Sequence, residues 1–472
     1  MGSGQVTDWQ GKHVTVAGLG VSGVPAAKVL HGLGAKVTVV NDGDDARARE
    51  QAAELEALGV TVRLGDGATL PEGTELIVTA PGWKPDKPLF AAADEAGVPV
   101  WGDVELAWRL RKPGAAPWLA VTGTNGKTTT VQMLASILEA AGLRTAAVGN
   151  IGVSLLDAVL GEEEYDVLAV ELSSYQLHWA PSLRAHSAAV LNLAPDHLDW
   201  HGSMEAYAAD KGRVYEGNRV ACVYNVADKA TEDLVREADV EEGCRAIGFT
   251  LGTPGPSQLG VVEGILVDRA FVENRHKNAQ ELAEVSDVRP AAPHNIANAL
   301  AAAALARAYG VPASAVRDGL RAFTPDAHRI AHVADVDGVA YVDDSKATNT
   351  HAAQASLAAY ESIVWIAGGL AKGATFDELV ADSAKRLRGA VLIGRDRALI
   401  REALARHAPE VPVVDLDRTD TGAMLQAVQE AKRLARPGDT VLLAPACASM
   451  DMFANYNKRG DAFAQAVREL GA

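Results

Sequence analysis

The stretch PWLAVTGTNGKTTT, residues 117–130, combines an apolar run, a glycine turn and the start of a helical pattern. The run from Trp118 to Val121 predicts a buried strand, and apolar residues after the turn recur on one helical face. Strand, glycine turn, Lys-Thr and helix is the layout of a phosphate-binding loop. The standard spacing requires a glycine five residues before Gly126, where Val121 stands, so this loop is a shortened Gly-x-x-Gly-Lys-Thr variant.

Each polar position of this loop has a predicted role in holding phosphate groups. Backbone N–H groups and the helix N-terminus attract anions, Lys127 neutralises β/γ-phosphate charge, and the Thr128 hydroxyl can reach a magnesium ion. The alternative interpretation is an ordinary strand–turn–helix with an exposed lysine. The predicted phosphate-binding residues are Gly123, Thr124, Asn125, Gly126, Lys127, Thr128 and Thr129.

Composition restricts the classes of protein to which the chain can belong. At 472 residues, with 48% apolar and 22% charged residues, it predicts a globular protein of several domains. A net charge of −17 argues against non-specific binding to nucleic acid or anionic membranes. No apolar run has the ~18–20 residues of a membrane span. The three cysteines lack metal-ligand spacing, so we expect reduced thiols in a cytoplasmic protein.

The first third of the chain alternates apolar strands with amphipathic helices. Gly18, Gly20 and Gly23 form a G-x-G-x-x-G pattern after a strand, and Asp42 follows about 20 residues later, which completes a Rossmann fingerprint. Alone, this pattern predicts a nicotinamide or flavin enzyme. Beside a phosphate-binding loop we prefer another diphosphate-bearing ligand, because the same turn binds any pyrophosphate. A purely structural turn is a third interpretation.

Two further predicted strands in the middle of the chain end in polar residues. Glu171 follows one apolar strand, and His197 follows the predicted strand 188–193. In a parallel sheet, ligands lie outside the carboxyl ends of the strands, so we expect both residues to approach Lys127 at one phosphate–metal site. Carboxylate is a typical magnesium ligand and imidazole a less usual one. A capping acid and a loop histidine are the alternatives.

The remaining candidates are weaker when they are considered alone. Lys211 on a helical stretch would be a solvated lysine. Asn295 and Asn298 lie on one helical face and suit the edge of a base, although Asn295 could instead cap its helix. From these patterns and the resemblance below we predict an α/β fold of three domains: a Rossmann-like domain over 1–111, a P-loop ATPase-type parallel sheet over 112–325 and a Rossmann-like domain over 326–472.

Several motifs occur in a recognisable order across most of the chain. They are TGTNGKTT, ELSSYQL, DHLD, HNIAN, DDSKATN, AGGLAKG and PACASMDMF. Together they resemble the Mur ligases, ATP-dependent enzymes that add amino acids to the peptidoglycan precursor. The DSKATN and PACASMDMF stretches are most similar to the branch that adds D-glutamate. The resemblance implies a domain for a UDP substrate, an ATPase domain, and a domain that binds the amino acid and closes over ATP.

The resemblance also implies roles for individual residues. ATP would be held by the loop together with Asn295, Asn298, Arg329, Asp344 and Lys346. Two magnesium ions would be served by Thr128, Glu171, His197 and Lys211, with Lys211 converted to a carbamate by CO2. The catalytic residues would be Lys127, His197, Lys211 and Lys346. Substrate contacts would come from Ser22, Asp42, Asn150, Ser173, Thr348, Lys372, Ser449 and Tyr456.

The implied reaction activates a carboxylate. ATP would phosphorylate the terminal carboxylate of UDP-N-acetylmuramoyl-L-alanine, and the amine of D-glutamate would attack the acyl phosphate, in a monomeric cytoplasmic enzyme. Two positions depart from the family pattern: Gly43-Asp44 replaces a Thr-Arg pair that often contacts uracil, and Tyr456 replaces a common Phe. The alternatives are a related ligase using another amino acid or folate, a nicotinamide oxidoreductase, and a non-catalytic ATP-binding regulator.

Overall fold

The computed structural model describes residues 8–418 and 420–470, within which the strands form three sheets that are parallel except near two edges. This arrangement confirms the predicted α/β class. The chain divides into two compact units: the first extends to Val288 and resumes over Asn295–Phe323, and the second comprises Arg289–His294 and the chain from Thr324 onward. The first unit contains two of the three sheets. The predicted domain boundaries stay a proposal.

The first sheet is Rossmann-like, with β1 at its centre and strand order β3-β2-β1-β4-β5, all parallel. The Gly18–Gly23 turn follows β1, and a Cβ on Gly23 would lie 1.9 Å from the Gly18 carbonyl oxygen, so only glycine fits there. The strands are β1 His13–Ala17, β2 Lys36–Asn41, β3 Thr61–Leu64, β4 Leu76–Thr79 and β5 Val100–Gly102. The helices are α1 Gly23–Gly32, α2 Ala46–Glu56, α3 Pro88–Glu95 and α4 Asp103–Leu110.

The second sheet has the order β14-β13-β12-β11-β10-β9-β6-β8-β7 and is parallel except at β12–β14. Its strands are β6 Trp118–Thr122, β7 Ala147–Gly149, β8 Leu168–Glu171, β9 Ser187–Val190, β10 Ala221–Asn225, β11 Arg245–Phe249, β12 Gln258–Val262, β13 Ile265–Asp268 and β14 Gln280–Glu284. Its helices are α5 Lys127–Ala140, α6 Leu155–Leu160, α7 Ser174–His178, α8 Leu198–His201, α9 Met204–Gly212, α10 Lys229–Glu237, α11 Pro293–Tyr309 and α12 Ala313–Ala322. Because β6 pairs with β8 and β9, the loops after these three strands are neighbours.

The third sheet lies in the second unit and has the order β15-β16-β20-β17-β18-β19, parallel except at β15. Its strands are β15 Ala331–Val336, β16 Val339–Asp343, β17 Ile363–Gly368, β18 Leu387–Ile393, β19 Val413–Asp415 and β20 Thr440–Leu443. Its helices are α13 Thr350–Ala358, α14 Asp377–Ser383, α15 Arg397–His407, α16 Ala423–Leu434 and α17 Tyr456–Leu470. The adjacent strands β16, β20 and β17 bring the DDSKATN, PACASM and GGLAKG loops to one edge.

Small residues allow the helices of the first unit to pack closely. Residues 299–306 of α11 are fully buried alanines and leucines, and a Cβ on Gly319 of α12 would lie 2.4 Å from the Ile137 Cα of α5. Larger side chains at such positions cost about 1–3 kcal/mol.

Among the helices of the described residues, none is both long enough and apolar enough to cross a membrane.

The predicted strand 188–193 is wrong at its end, because β9 stops at Val190. The next residues turn toward the phosphate-binding loop: the Leu191 N–H donates to Thr122, and the Thr124 N–H donates to the Asn192 carbonyl oxygen. These backbone groups are therefore used to hold the loop after β6 in place.

Candidate active site

The phosphate-binding loop has the backbone that its two glycines permit. Gly123 has φ +149° and Gly126 has φ +84°, and Gly126 leads directly into α5. The Lys127 Nζ donates to the carbonyl oxygens of Gly123 (2.8 Å) and Thr124 (3.0 Å), so the ammonium lies against its own loop. The positive charge of Lys127 and the N-terminus of α5 thus both lie at this loop, which is the arrangement that binds phosphate. The exposed-lysine alternative does not fit this geometry.

Two side chains that sequence reasoning missed support the phosphate-binding loop: Asn192 in the loop after β9, and Tyr207 on α9. The Asn192 amide accepts from the Asn125 N–H at 2.9 Å and donates to the Asn125 carbonyl oxygen at 3.1 Å. The Thr124 hydroxyl lies 3.0 Å from the Tyr207 hydroxyl and accepts from the Ala194 N–H. These contacts join residues about seventy to eighty positions apart. The only signal in the sequence was that Asn192 lies near a predicted strand end.

Lys211 is buried beneath the same loop rather than solvated. Lys211 is 2% exposed, and its Nζ donates to the Gly123 carbonyl oxygen at 2.9 Å. Burial, followed by the nearby charge of Lys127, holds the pKa of Lys211 well below its usual value, although Asp196 and Glu171 act in the opposite direction. A lowered pKa favours the neutral amine, which is the nucleophilic form.

Glu171 lies at the end of β8 with one carboxylate oxygen unsatisfied. Oε1 accepts from the Asn150 side chain at 2.9 Å, whereas Oε2 is buried and has no hydrogen-bond partner within residues 8–418 and 420–470. An unpaired buried carboxylate oxygen is costly unless a cation binds it. The 2% exposure of Glu171 excludes a solvated acid, and its unsatisfied oxygen fits a magnesium ligand.

His197 begins α8 in the left-handed conformation, with φ +54°. Its ring centroid is 4.9 Å from that of Tyr175, and Nε2 is 3.5 Å from the Asp196 carboxylate. Burial lowers the pKa of His197, Asp196 opposes this effect, and Lys127 and Lys211 add to it. The neutral imidazole that results can ligate a metal.

The part of the chain that the structure describes contains no group of three His, Cys, Asp or Glu side chains placed to hold a metal by themselves. Glu171 and His197 are thus candidates for a site whose remaining oxygen ligands would come from phosphate, a hydroxyl or a modified lysine. Thr128, in the buried first turn of α5, carries such a hydroxyl. Oxygen-rich, incomplete protein coordination is typical of magnesium bound with a nucleotide.

Asn295 and Asn298 both lie in α11 and are buried near the loop. A Cβ on Gly126 would be 2.4 Å from the Asn298 Oδ1, so the asparagine amide packs directly on the loop glycine. The Asn298 Nδ2 is 3.5 Å from the Asn295 Oδ1. The first unit therefore brings both predicted asparagines to the phosphate-binding loop.

The predicted contacts to the UDP substrate lie at separate points of the first unit. The Ser22 hydroxyl donates to Asp103 at 3.1 Å, and Asp42 pairs with Lys87 at 2.5 Å. Ser173 caps α7, accepting from the Gln176 N–H. Burial raises the pKa of Asp103, and the hydrogen bonds from Ser22 and Gln176 oppose this effect.

Asp44, which replaces the usual arginine, forms a two-point ion pair with Arg49, at 2.7 Å and 3.0 Å. Its negative charge is thus compensated within α2 and the preceding turn.

The second unit groups another set of predicted residues after β16. The Lys346 Nζ lies 4.0 Å from the ring centroid of Tyr456, and the Thr348 N–H donates to the Lys346 carbonyl oxygen. Burial raises the pKa of Asp344 to about 6. Arg329 lies 3.9 Å from Asp326 at the start of this segment.

The loops after β17 and β20 are joined by paired backbone hydrogen bonds between Leu370 and Ala448, both 2.9 Å. They carry Lys372, exposed with φ +50°, and Ser449, which is buried. These two predicted substrate residues therefore belong to one connected pair of loops.

Arg459 of α17, which the sequence did not reveal, fastens two of these loops. It is 1% exposed and donates to the Ser345 hydroxyl (3.0 Å), the Ser345 carbonyl oxygen (2.8 Å) and the Cys447 carbonyl oxygen (3.0 Å). Burial lowers the pKa of Arg459 to about 10. Its neighbours Lys346 and Ser449 are held in position through these bonds.

Comparison with known proteins gives matches over most of the chain. Residues 121–306 match a model described as "Mur ligase middle domain", and residues 328–447 match "Mur ligase, glutamate ligase domain". A UDP-N-acetylmuramoylalanine–D-glutamate ligase from Streptomyces coelicolor is 91% identical, covering 99% of this chain and 100% of the relative. The enzyme of the same name from Thermobifida fusca is 60% identical, covering 98% and 99%. The solved structure of MurF from Acinetobacter baumannii has a TM-score of 0.59 at 18% identity, covering 91% of this chain and 90% of that chain.

Residues 13–78 match a model described as "Pyridine nucleotide-disulphide oxidoreductase". That match covers the Gly18–Gly23 turn and agrees with the Rossmann-like sheet, but it leaves the arrangement around Lys127, Glu171 and Lys211 unexplained. The nicotinamide oxidoreductase interpretation is therefore not favoured.

Proposed function

The chain belongs to the Mur ligase family, and from this premise we propose that it joins D-glutamate to UDP-N-acetylmuramoyl-L-alanine with the hydrolysis of ATP. The relatives at 91% and 60% identity are named for that reaction, and this chain covers 100% and 99% of their lengths. The observation that carries the proposal is the convergence of Lys127, Glu171 and buried Lys211 on one loop, in a chain whose family uses ATP and Mg²⁺. The product is a precursor of peptidoglycan, and the enzyme acts as a cytoplasmic monomer.

The residues of the first unit would hold ATP and its magnesium. Loop N–H groups and Lys127 bind the phosphates, while Asn298 and Asn295 contact the nucleotide. Glu171, His197 and Thr128 hold magnesium, which when bound stabilises the negative charge of the transferring phosphoryl group. We propose that two magnesium ions bind, as the resemblance to the Mur ligases implies.

The chemistry follows from the weak electrophilicity of a carboxylate. Transfer of the γ-phosphoryl group to the L-alanyl carboxylate forms an acyl phosphate and releases ADP. The D-glutamate amine then attacks the acyl carbon, the C–O bond to phosphate breaks, and the amine loses a proton. Positioning of the reacting groups supplies much of the acceleration in such reactions. In the second unit, Lys346 would act at the reacting phosphate, and Arg329 and Asp344 would bind ATP.

Substrate positions are assigned in the same way. Ser22 and Asn150 would lie near the diphosphate and muramoyl portion of the UDP-sugar, and Lys372, Ser449 and Tyr456 would surround D-glutamate. Asp42, Ser173 and Thr348 would make further substrate contacts, with Thr348 at the reaction centre. Because position 44 is an aspartate, which pairs with Arg49, uracil recognition here cannot use a cation at that position.

The neutral amine of Lys211 is suited to carbamate formation. Nζ attacks the carbon of CO2 and forms an N–C bond, while the π electrons of one C=O bond move to oxygen to give the carboxylate. Nζ then releases a proton. The burial and lowered pKa of Lys211 support this step, because only the unprotonated amine reacts. The resulting oxygens would serve magnesium as a carboxylate does.

Release of phosphate in the presence of ATP, Mg²⁺ and UDP-N-acetylmuramoyl-L-alanine tests the reaction. D-glutamate should support release, whereas L-alanine, diaminopimelate and a folate acceptor should not. Release with another amino acid in place of D-glutamate would assign a related ligase. Stronger thermal protection by NADH than by ATP would revive the oxidoreductase interpretation.

Replacement of Lys211 by alanine tests the carbamate. Lys211→Ala should lose activity and regain part of it with added formate or acetate, because the buried space can admit a small carboxylate. Lys229→Ala, at an exposed lysine on α10, is the matched control and should show no rescue. Normal rates in Lys211→Ala without added carboxylate would contradict the assignment.

A further inference from the structure

Asp210 joins three helices around the proposed metal site. It lies on α9 immediately before Lys211 and is itself buried. Both of its oxygens lie 2.9 Å from the His178 Nδ1, and Oδ2 lies 2.9 Å from the His201 Nδ1. Arg213 approaches Oδ1 at 3.3 Å. One carboxylate therefore ties the last residues of α7 and α8 to α9.

The proposed metal-binding residues lie just before or on these three helices. α7 begins with Ser174, three positions after Glu171, and α8 is preceded directly by His197. α9 carries Lys211. A second bond closes the ring, because the His201 Nε2 lies 3.0 Å from the Ser174 hydroxyl. The positions of Glu171, His197 and Lys211 are thus linked through Asp210.

The protons of this network can be assigned from its chemistry. An ionised carboxylate only accepts hydrogen bonds, so His178 and His201 must each donate from Nδ1–H. In a neutral His201, Nε2 then accepts the hydroxyl proton of Ser174. Burial opposes ionisation of Asp210, whereas the hydrogen bonds from His178 and His201 and the nearby charges together lower the pKa of Asp210.

Ser174, His201 and Asp210 are hydrogen-bonded in the order of a hydrolytic triad, but a substrate cannot reach the serine. Ser174 is 2% exposed and the His201 side chain is fully buried. A nucleophilic serine must reach its substrate. The network is therefore suited to fixing helices rather than to covalent catalysis.

We propose that Asp210 is a positioning residue which, through His178 and His201, holds Glu171, His197 and Lys211 in the geometry that binds magnesium and the carbamate. The proposal rests on the function proposed above. Partners behind the direct ligands of a metal orient those ligands, and their loss typically costs about 10–100-fold in metal affinity or activity. Asp210 acts one step further back, because it bonds His178 and His201 on the helices that follow Glu171 and His197, and directly precedes Lys211 in α9.

Asp210→Asn tests the proposal, because it preserves shape but removes the charge and one acceptor. Mn²⁺, which accepts the oxygen ligands of Mg²⁺, is titrated in the presence of ADP and followed by electron paramagnetic resonance. We expect Mn²⁺ affinity to fall about 10–100-fold, and the half-saturating Mg²⁺ concentration for phosphate release to rise similarly. The ¹³C signal of the carbamate formed from ¹³C-bicarbonate should weaken.

Glu205→Gln, at an exposed acid on the same helix, is the control and should change none of these readouts. His201→Gln and His178→Gln each remove one tie and should weaken Mn²⁺ binding in the same direction, which keeps the test available if Asp210→Asn does not fold. Labelling of Ser174 by a fluorophosphonate would contradict the positioning role and indicate a nucleophile.

The two proposals fail in different ways. Wild-type protein without D-glutamate-dependent phosphate release would overturn the proposed function. Active wild-type protein, together with unchanged Mn²⁺ affinity and carbamate signal in Asp210→Asn, would overturn the positioning role and leave the function intact. Loss of activity with unchanged Mn²⁺ affinity would also overturn it.

Discussion

Two buried charged side chains, Asp210 in the first unit and Arg459 in the second, each fasten segments that carry proposed site residues. Asp210 is surrounded by groups that are cationic or can become so, namely His178, His201 and Arg213. Among the described residues, Arg459 donates its hydrogen bonds to neutral oxygens. The buried charge of Asp210 therefore accepts hydrogen bonds from N–H donors, whereas the buried charge of Arg459 donates to hydroxyl and carbonyl oxygens.

The difference between the two regions concerns what the protein leaves unsatisfied. The first unit keeps a buried carboxylate oxygen on Glu171 without a partner in the described part of the chain, and a buried lysine whose pKa is lowered. Around Arg459, the charge is bonded to oxygens from two loops. Unsatisfied polar groups at a site reduce stability and favour ligand binding. Substitutions in the first region should therefore cost activity, and substitutions in the second should cost stability.

Lys211→Met should produce the largest loss of activity. We expect phosphate release to fall by at least about 10³-fold, because removing a metal-associated oxygen costs several kcal/mol of charge stabilisation. The free energy of unfolding should stay equal or increase, because a methionine fills the space without a buried amine. Single-turnover phosphate release and urea denaturation measure the two effects. A large loss of stability with full activity would break the comparison.

Arg459→Met should act chiefly on stability, with a loss of about 3 kcal/mol in the second unit, since it leaves buried oxygens without donors. Trp365 is the single tryptophan after residue 200 and lies fully buried in β17. The ¹⁹F resonance of 5-fluorotryptophan at that position reports unfolding of this unit alone. Arg468→Met, at an exposed arginine of α17, should stay within about 1 kcal/mol of wild type.

Two buried glutamates of the first unit sharpen the comparison. Glu105 is satisfied by Arg109 and by two groups of Ser182, whereas Glu171 has one unsatisfied oxygen. Glu171→Gln should lower activity about 100-fold, equivalent to about 2.7 kcal/mol, with stability retained. Glu105→Gln should lose about 1–3 kcal/mol of stability and retain activity.

Thermal unfolding and single-turnover phosphate release, measured on both variants, separate the two costs. Equal effects of Glu171→Gln and Glu105→Gln on stability would show that the unsatisfied oxygen has no special status.

The smallest expected effect concerns pH and the second unit. Asp343 accepts from the His328 Nδ1 at 2.6 Å, and this bond raises the pKa of His328. The stabilisation is complete below the unfolded value of about 6.5 and is lost as pH rises through the folded pKa, with no more than about 1.5 kcal/mol involved. Asparagine tolerates the left-handed backbone at this position. His328→Asn should therefore reduce the pH dependence of the urea unfolding midpoint between about pH 6 and pH 9.

The slope below pH 6 serves as an internal control, because Asp344 titrates there with a pKa raised to about 6. An unchanged slope above pH 6 in His328→Asn would assign the pH dependence to another group.

Local sequence signals predicted the parts of the site that are local in the chain. β6, its glycine loop and α5 are contiguous, so strand pattern, turn and helix pattern could be seen together. Lys211 was recognisable only through resemblance, because its burial depends on a loop 88 residues earlier. Arg459 could not be predicted for the same reason, since its partner Ser345 lies 114 positions away.

Asp210 illustrates a different obstacle. Its neighbour Lys211 was singled out, yet the carboxylate acquires its role from His178, 32 residues earlier, and from His201. A carboxylate on a helical stretch is usually solvated, and the pattern of apolar residues does not indicate otherwise. Similarly, β9 ends early because the groups beyond Val190 bind the phosphate-binding loop, a contact that no local propensity encodes.

The segment Arg289–His294 belongs to the second unit although residues on both sides of it belong to the first. With Ile330, Tyr360 and Arg386 it lines a cavity of about 490 Å³. A fragment beginning at Thr324 would lack one wall of that cavity. The genetic information for the second unit is thus split into two pieces, and a single recombination point cannot transfer it whole to another ligase.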